Sequence, residues 1–141
     1  MKTFPDLADL VPHSGRMILL DRVTEASETS TVCSVVIREG ALFLEDGKVP
    51  AIIAIEYMAQ AIGAHVGLGL IASGKPIQIG YLLGTREMTL ESDGFEVGDE
   101  LSVEVKHVWG DDEIGVFECA VSQRGRQVVS ATLKVYRGAG Q

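Results

Sequence analysis

The sequence is poor in the residues that build cross-linked, metal-binding or nucleic-acid-binding proteins. Its 141 residues include only 2 cysteines, 4 prolines and 3 histidines. Cys33 and Cys119 cannot form a disulfide framework and show no metal-ligand spacing, so we expect two buried thiols in a reducing compartment. Basic residues are also few: 12 Lys and Arg against 20 Asp and Glu give a net charge of −8. This balance argues against nucleic acid and against an anionic membrane as main partners.

What the sequence does contain is enough apolar material for one hydrophobic core. Hydrophobic residues make up 46% of the chain, and no repeat or linker divides it. We therefore predict a single domain over residues 1–141. The first residues contain no apolar run of signal-peptide length, so we expect a cytoplasmic protein.

The longest apolar run covers residues 49–73 and contains one charged residue, Glu56. Pro50 suits the first turn of a helix, and the Ser-Gly-Lys-Pro run at 73–76 is typical of a helix end. The run is long enough to span a membrane, but Glu56 and His65 would each cost a few kcal/mol in hydrocarbon. We predict instead a soluble helix that is buried on nearly every side.

Four residues of this helix recur at spacings of four, three and four, which places them on one face: Glu56, Gln60, Gly63 and Gly67. We call this face the Glu56 strip. We predict that it faces an acyl chain and that Glu56 is its chemical centre. For Gly63 and Gly67, helix packing is an equally good interpretation.

Alternating apolar and polar residues predict strands on both sides of the helix. Two precede it and three or four follow it, joined largely by hairpin turns. One long helix in a curved antiparallel sheet of five to six strands is the α+β hot-dog architecture. Because such sheets pair at their edges, we also expect a dimer. The predicted strands cover residues 17–26, 29–38, 77–91, 101–109, 117–121 and 129–135.

Three sequence motifs resemble the hot-dog 3-hydroxyacyl-(acyl-carrier-protein) dehydratases. Residues 10–13 and 17–23 resemble the Leu-Pro-His element and the Leu-Leu-x-Asp-Arg-Val strand of that family. Residues 55–60, Ile-Glu-Tyr-Met-Ala-Gln, resemble its Glu-Ala-x-Ala-Gln helix, and residues 95–101 resemble a shortened form of its Pro-Gly-Asp turn. The opening and the helix are similar to a divergent subgroup found with aryl polyene and related fatty-acid-like pathways.

The resemblance implies a catalytic pair, of which this chain has one half. In the family a histidine precedes the helix carboxylate by fourteen residues, and Leu42 occupies that position here. The family glycine five residues before the carboxylate is Ala51, whose N–H group we expect to polarise a thioester carbonyl at the helix start. Substrate contacts are predicted at Ala51, Gln60, Leu42 and Gly63.

Dehydration of a 3-hydroxyacyl thioester needs a base and an acid, so Glu56 requires a second group. His13, His65 and His107 are weak candidates: His13 is not the base in the family, and His65 lies about 180° from Glu56 around the helix. His107 lies on an apolar strand face, where a core histidine is the ordinary interpretation.

Three functions are therefore open. The chain is a dehydratase with an altered site, a thioesterase that relies on Glu56, or a non-catalytic subunit that pairs with an active paralogue or binds carrier protein.

The expected partners follow from this chemistry. They are an acyl thioester on carrier protein or CoA, and a second subunit in a homodimer or heterodimer. An acidic carrier protein would dock on basic residues, for which the candidates are Arg124, Arg126, Lys134 and Arg137. No cofactor and no metal is expected.

Overall fold

The computed structural model describes residues 3–11, 15–77, 80–111 and 113–137. Within them a long helix, α1 (Ala54–Ala72), is preceded by a 3-10 turn at Ala51–Ile53. Two further 3-10 turns lie near the N-terminus, at Leu7–Asp9 and Gly15–Met17. The strands are β1 (Arg22–Ala26), β2 (Ser30–Val36), β3 (Lys48–Pro50), β4 (Gly80–Leu90), β5 (Gly94–Glu96), β6 (Glu100–Gly110), β7 (Ile114–Gln123) and β8 (Arg126–Arg137).

Six strands form one antiparallel sheet in the order β1-β2-β6-β7-β8-β4. Alternate residues of its central strands are buried, as at Val103 and Val105 of β6, because one face carries the helix and the other faces solvent. The predicted hot-dog architecture is therefore confirmed.

Helix α1 lies on the sheet and packs against β2, β6, β7 and β8. The segment Ala51–Ala72 is long and apolar enough to cross a membrane by composition, but half of it is buried inside this domain. Its role is that of a core helix, which agrees with the sequence prediction. The helix lies close to the sheet because most of its fully buried side chains are small: Ala54, Met58, Ala61 and Ala64.

The start of the fold differs from the prediction. Residues 17–21 were expected to begin the first strand, yet β1 starts at Arg22 and Gly15–Met17 forms a 3-10 turn. The backbone of this stretch is bonded to a side chain of the helix instead: Leu19 N–H donates to Gln60 Oε1. Alternation of apolar and polar residues cannot reveal that the Gln60 side chain takes the place of a strand partner, because Gln60 lies 41 positions away in the sequence.

A second difference is a two-stranded sheet formed by β3 and β5. Neither strand is among those predicted from the sequence, because three-residue strands carry too little alternation to detect. In β4 the pairing register shifts between Leu82 and Gly84, whereas Gly80 pairs regularly with Arg137.

The two cysteines are free and buried, as predicted. Cys33 lies on β2 and Cys119 on β7, with β6 between these strands. Burial raises the pKa of both thiols from 9.0 to about 12. The thiolate is therefore the disfavoured form in the folded protein, and neither thiol is primed for nucleophilic chemistry.

These raised pKa values predict a loss of stability in alkali. Below pH 9 the thiols are neutral in both states, so they have no effect; above pH 9 the unfolded chain ionises first. The free energy of unfolding should fall by up to about 1.4 kcal/mol per pH unit and thiol until pH 12. Urea denaturation of wild type and Cys33→Val between pH 8 and 11 checks this. Equal slopes for both proteins would contradict it.

Candidate functional site

The Glu56 strip is built around a hydrogen bond between its two polar members. Gln60 Nε2 donates to Glu56 Oε1 over 3.2 Å, one helical turn apart. Glu56 is half-buried, whereas only 1% of Gln60 is exposed. The prediction that carboxylate and amide share a face is confirmed, and a fixed amide orients the carboxylate.

Gln60 is held in turn by the segment that leads into β1. Its Nε2 also donates to Met17 O over 2.6 Å, and its Oε1 accepts the Leu19 N–H over 2.8 Å. A buried carboxamide is stable only when its donors and acceptor are satisfied. Gln60 therefore joins the helix to the entering chain and, through the same bonds, fixes its own position beside Glu56.

The glycine end of the strip is covered by the N-terminal segment. A Cβ atom at Gly67 would clash with the backbone carbonyl of Leu10, and one at Gly63 would lie 3.4 Å from Val11 Cγ1. We predicted that the strip faces an acyl chain, but at these two residues the chain itself fills the space. This favours the helix-packing interpretation for both glycines. A substrate contact at Gly63 stays a prediction.

The expectation for Ala51 conflicts with the structure. Its N–H group donates to Asp93 O over 3.2 Å, next to the pairing of β3 with β5, and the residue is buried. An amide already bonded to the carbonyl of Asp93, the residue before β5, is not free to polarise a thioester. The conflict arises because β3 and β5 were not recognised in the sequence.

Leu42 is half-buried and lines a cleft of about 260 Å³. The cleft has apolar walls that include Tyr57, and a charged rim of Asp21, Arg38 and Glu39. Arg38 Nη1 and Asp21 Oδ1 form an ion pair at 2.8 Å, and Asp21 also accepts the Val36 N–H. Leu42 thus lines an open cleft on the protein surface.

Tyr57 was not singled out as a site residue from the sequence. It follows Glu56 directly but is buried, and its ring lies against Phe95 with the centroids 6.3 Å apart. Burial raises the pKa of its phenol to about 12, so it stays neutral near pH 7. In the sequence, the one sign that Tyr57 lies outside the Glu56 strip is its position on the helix, about 100° around the axis from Glu56.

Two of the three histidines lie on the sheet side of the helix. His65 Nδ1 and Thr31 Oγ1 share a hydrogen bond of 2.7 Å, and the ring meets Phe117 edge-on. His107 lies on the same phenylalanine, with centroids 5.1 Å apart. Both are packing residues, as predicted, and neither belongs to the Glu56 strip. His13 lies outside the described residues.

The basic residues proposed for carrier-protein docking do not form one patch. Arg124 and Arg126 lie at the turn between β7 and β8, whereas Lys134 is eight residues further along β8. At about 3.3 Å per residue the separation along the strand is roughly 26 Å. The side chain of Arg137 is outside the described part. Among the described residues, no group of three or more His, Cys, Asp or Glu could hold a metal ion.

Comparison with known proteins identifies relatives over nearly the whole chain. The family model described as ApeP dehydratase, of the ApeP-like family, matches residues 5–140. A solved structure described as the dehydratase heterocomplex ApeI:P from Xenorhabdus doucetiae is 29% identical, with a TM-score of 0.92. The match covers 96% of this chain and 92% of the other.

More distant structures share the fold. A hypothetical thioesterase from Streptococcus pneumoniae TIGR4, solved with coenzyme A, is 16% identical with a TM-score of 0.64, covering 85% of this chain and 86% of the other. The PaaI protein of the E. coli phenylacetic acid degradation operon is 14% identical with a TM-score of 0.63, covering 82% of each chain. At these identities the likeness concerns the fold alone.

The hydrogen bonds of Gln60 predict a large cost for an apolar replacement. Gln60→Leu leaves the partly buried Met17 O and Leu19 N–H without their partner, which should lower the free energy of unfolding by about 1–3 kcal/mol. Met58→Leu, at a fully buried position of the same helix, should cost less than about 1.5 kcal/mol. Urea denaturation measures both. Equal losses would mean that the hydrogen bonds contribute little.

Two glycines of α1 give a matched pair of substitutions. Gly69→Ala meets nothing within 4 Å and should stabilise the helix by about 0.5–1 kcal/mol. Gly67→Ala must displace the Leu10 backbone and should destabilise the protein by about 1–3 kcal/mol. Thermal unfolding of the two variants checks the opposite signs. A stabilising effect at Gly67 would show that the N-terminal segment yields easily.

Proposed function

We infer the function of this chain from the premise that it belongs to the ApeP-like dehydratase family, whose model matches residues 5–140. We propose that the chain is a subunit of a dehydratase that removes water from 3-hydroxyacyl thioesters. We further propose that Glu56 supplies the acid and that a partner subunit supplies the base. The observation that carries this proposal is the Glu56 carboxylate, which the buried Gln60 holds in place. The histidine that the family has fourteen residues before this carboxylate is Leu42 in this chain.

The reaction divides into two proton movements. A base removes a proton from C2 of the substrate, beside the thioester carbonyl, and the electron pair forms the double bond to C3. The hydroxyl group leaves C3 together with a proton from an acid, which gives water and a 2-enoyl thioester. A proton returned from the base to the acid then restores both groups.

Glu56 suits the acid role because Gln60 fixes it while part of it remains accessible. The amide donates to Oε1 and so fixes the orientation of the carboxyl group that we propose as the proton donor. Fixed orientation of the proton donor matters because an acid must lie within hydrogen-bond reach of the leaving group.

The base is assigned to another subunit because the described histidines are committed elsewhere. His65 bonds to Thr31, and both His65 and His107 pack on Phe117. The relative with a TM-score of 0.92 is described as a dehydratase heterocomplex. By that analogy, this chain pairs with a hot-dog paralogue that retains the histidine.

The proposal predicts that water loss requires both Glu56 and the partner. The purified chain is mixed with the histidine-bearing hot-dog paralogue of the same genome and a 3-hydroxyacyl carrier protein, and mass spectrometry follows the loss of water. Glu56→Gln should lower the rate at least about 100-fold, because a neutral amide cannot donate the proton. Glu45→Gln, at an exposed carboxylate, is the matched control and should keep full activity.

Other outcomes discriminate between the candidate functions. Release of free acid by the chain alone, abolished by Glu56→Gln, would replace the dehydratase by a thioesterase. Dehydration by the chain alone, lost in His13→Ala, would place the base in this subunit. Activity of the mixture that survives Glu56→Gln would make this chain a non-catalytic partner.

A further inference from the structure

The outer face of the main sheet, which is turned away from α1, has an apolar patch at one end. Directly paired residues share a face of the sheet, and side chains alternate between the two faces along each strand. Because Phe117 of β7 and Val135 of β8 are buried, their neighbours Val116 and Tyr136 point outward. Five outward side chains on neighbouring strands form what we call the outer patch: Trp109 of β6, Ile114 and Val116 of β7, Tyr136 of β8 and Tyr81 of β4.

The outer patch is rich in aromatic residues and yet exposed. Trp109 is 67% exposed and Tyr81 is 57% exposed. The rings of Tyr81 and Tyr136 stack with their centroids 6.5 Å apart, so each ring limits the movement of the other. Tryptophan and tyrosine are enriched at the centres of protein interfaces. A contiguous aromatic patch of this kind therefore indicates a contact with another molecule.

Charged residues of opposite sign lie at the two ends of the outer patch. Toward the middle of the sheet, the next row of outward residues contains Lys106 of β6 and Arg86 of β4, with Glu118 of β7 in the same row. At the other end, the turn between β6 and β7 carries the exposed Asp111 and Glu113. Asp111 Oδ1 accepts the Glu113 N–H over 2.8 Å, which fixes this turn. The patch thus has a mainly basic end and an acidic end.

This distribution of charge is self-complementary. A two-fold axis that crosses the strands at Trp109 reverses their direction, so the basic end of one copy lies over the acidic end of the other. The rotation keeps each strand over its own counterpart. Lys106 on β6 therefore faces Glu113, at the β6–β7 turn of the second copy, and the two Trp109 side chains meet at the axis.

We propose that a second copy of this chain docks on the outer patch, so that two sheets pack back to back around Trp109. Charge selects this occupant. An acidic carrier protein would meet the acidic turn as well as the basic row, and an anionic membrane would be repelled by a net charge of −8. The patch lies on the sheet face opposite α1 and Glu56, so this inference does not depend on the proposed function.

Trp109 reports on this contact directly, because it is the one tryptophan of the chain. Sedimentation equilibrium and tryptophan fluorescence of the purified chain are measured from low to high micromolar concentration. We expect the emission to shift to shorter wavelength as the indole leaves water, and the mass to rise to twice that of Trp109→Ala. Since this side chain is 67% exposed, Trp109→Ala should keep the wild-type melting temperature.

The charges test the orientation of the two copies. Lys106→Glu and Glu113→Lys each place like charges opposite one another and should weaken self-association at least about 10-fold. The double variant exchanges the two charges and should restore most of the affinity. Arg126→Glu is the matched control, since it makes the same change of charge as Lys106→Glu at an exposed position at the far end of β8. It should leave self-association unchanged.

Three results would overturn the proposal. They are a mass that does not change with concentration, a double variant as weak as the single variants, and an emission that shifts only when unloaded acyl carrier protein or the histidine-bearing paralogue is added. Water loss by the mixture with the paralogue tests the proposed function separately, because none of these substitutions alters Glu56 or its bond to Gln60.

Discussion

The buried carboxamide of Gln60 is the constraint on which the candidate site depends. One side chain accepts from Leu19, donates to Met17 and donates to Glu56. The first two bonds replace strand pairing for the chain that enters the sheet, and the third orients the carboxylate. The Gln60 carboxamide therefore has two roles, because it holds Glu56 in position and also joins the helix to the N-terminal segment.

The same contacts bear on the catalytic role that we propose for Glu56. A carboxylate whose orientation is fixed within its own helix and loop keeps its geometry whether or not a base is present in the same chain. The cleft at Leu42 has no such support for acid–base chemistry. Its Tyr57 phenol stays neutral near pH 7, and its rim carboxylate Asp21 is paired with Arg38. The carboxylate that we propose as the acid and the cleft lined by Leu42 and Tyr57 therefore differ in their polar contacts.

The fold could be predicted from the sequence because its elements carry strong periodic patterns. The apolar run around Glu56 and the alternating strands after residue 100 are long enough for each pattern to be read locally. The Glu56–Gln60 contact was predictable for the same reason, since a spacing of four places both side chains on one helix face.

What the sequence could not supply were contacts between distant segments. The bonds of Gln60 to Met17 and Leu19 span about forty residues, and no local pattern encodes them. Ala51 was misjudged because its amide is bonded to Asp93, which follows the helix in the chain. The cover of Gly67 by Leu10 is likewise a tertiary contact, and from the sequence alone a glycine that admits a substrate looks the same as one that admits a backbone.

The two edge strands of the main sheet, β1 and β4, differ in how they are protected from further pairing. Edge strands are commonly protected from further pairing by charged residues, by prolines or by being short. β1 is short and carries charged residues. β4 has two register irregularities, at Leu82–Gly84 and Arg86–Thr89, but it keeps exposed leucines on either side of them. A chain with a net charge of −8 that leaves this strand apolar and exposed has a surface typical of contacts between subunits.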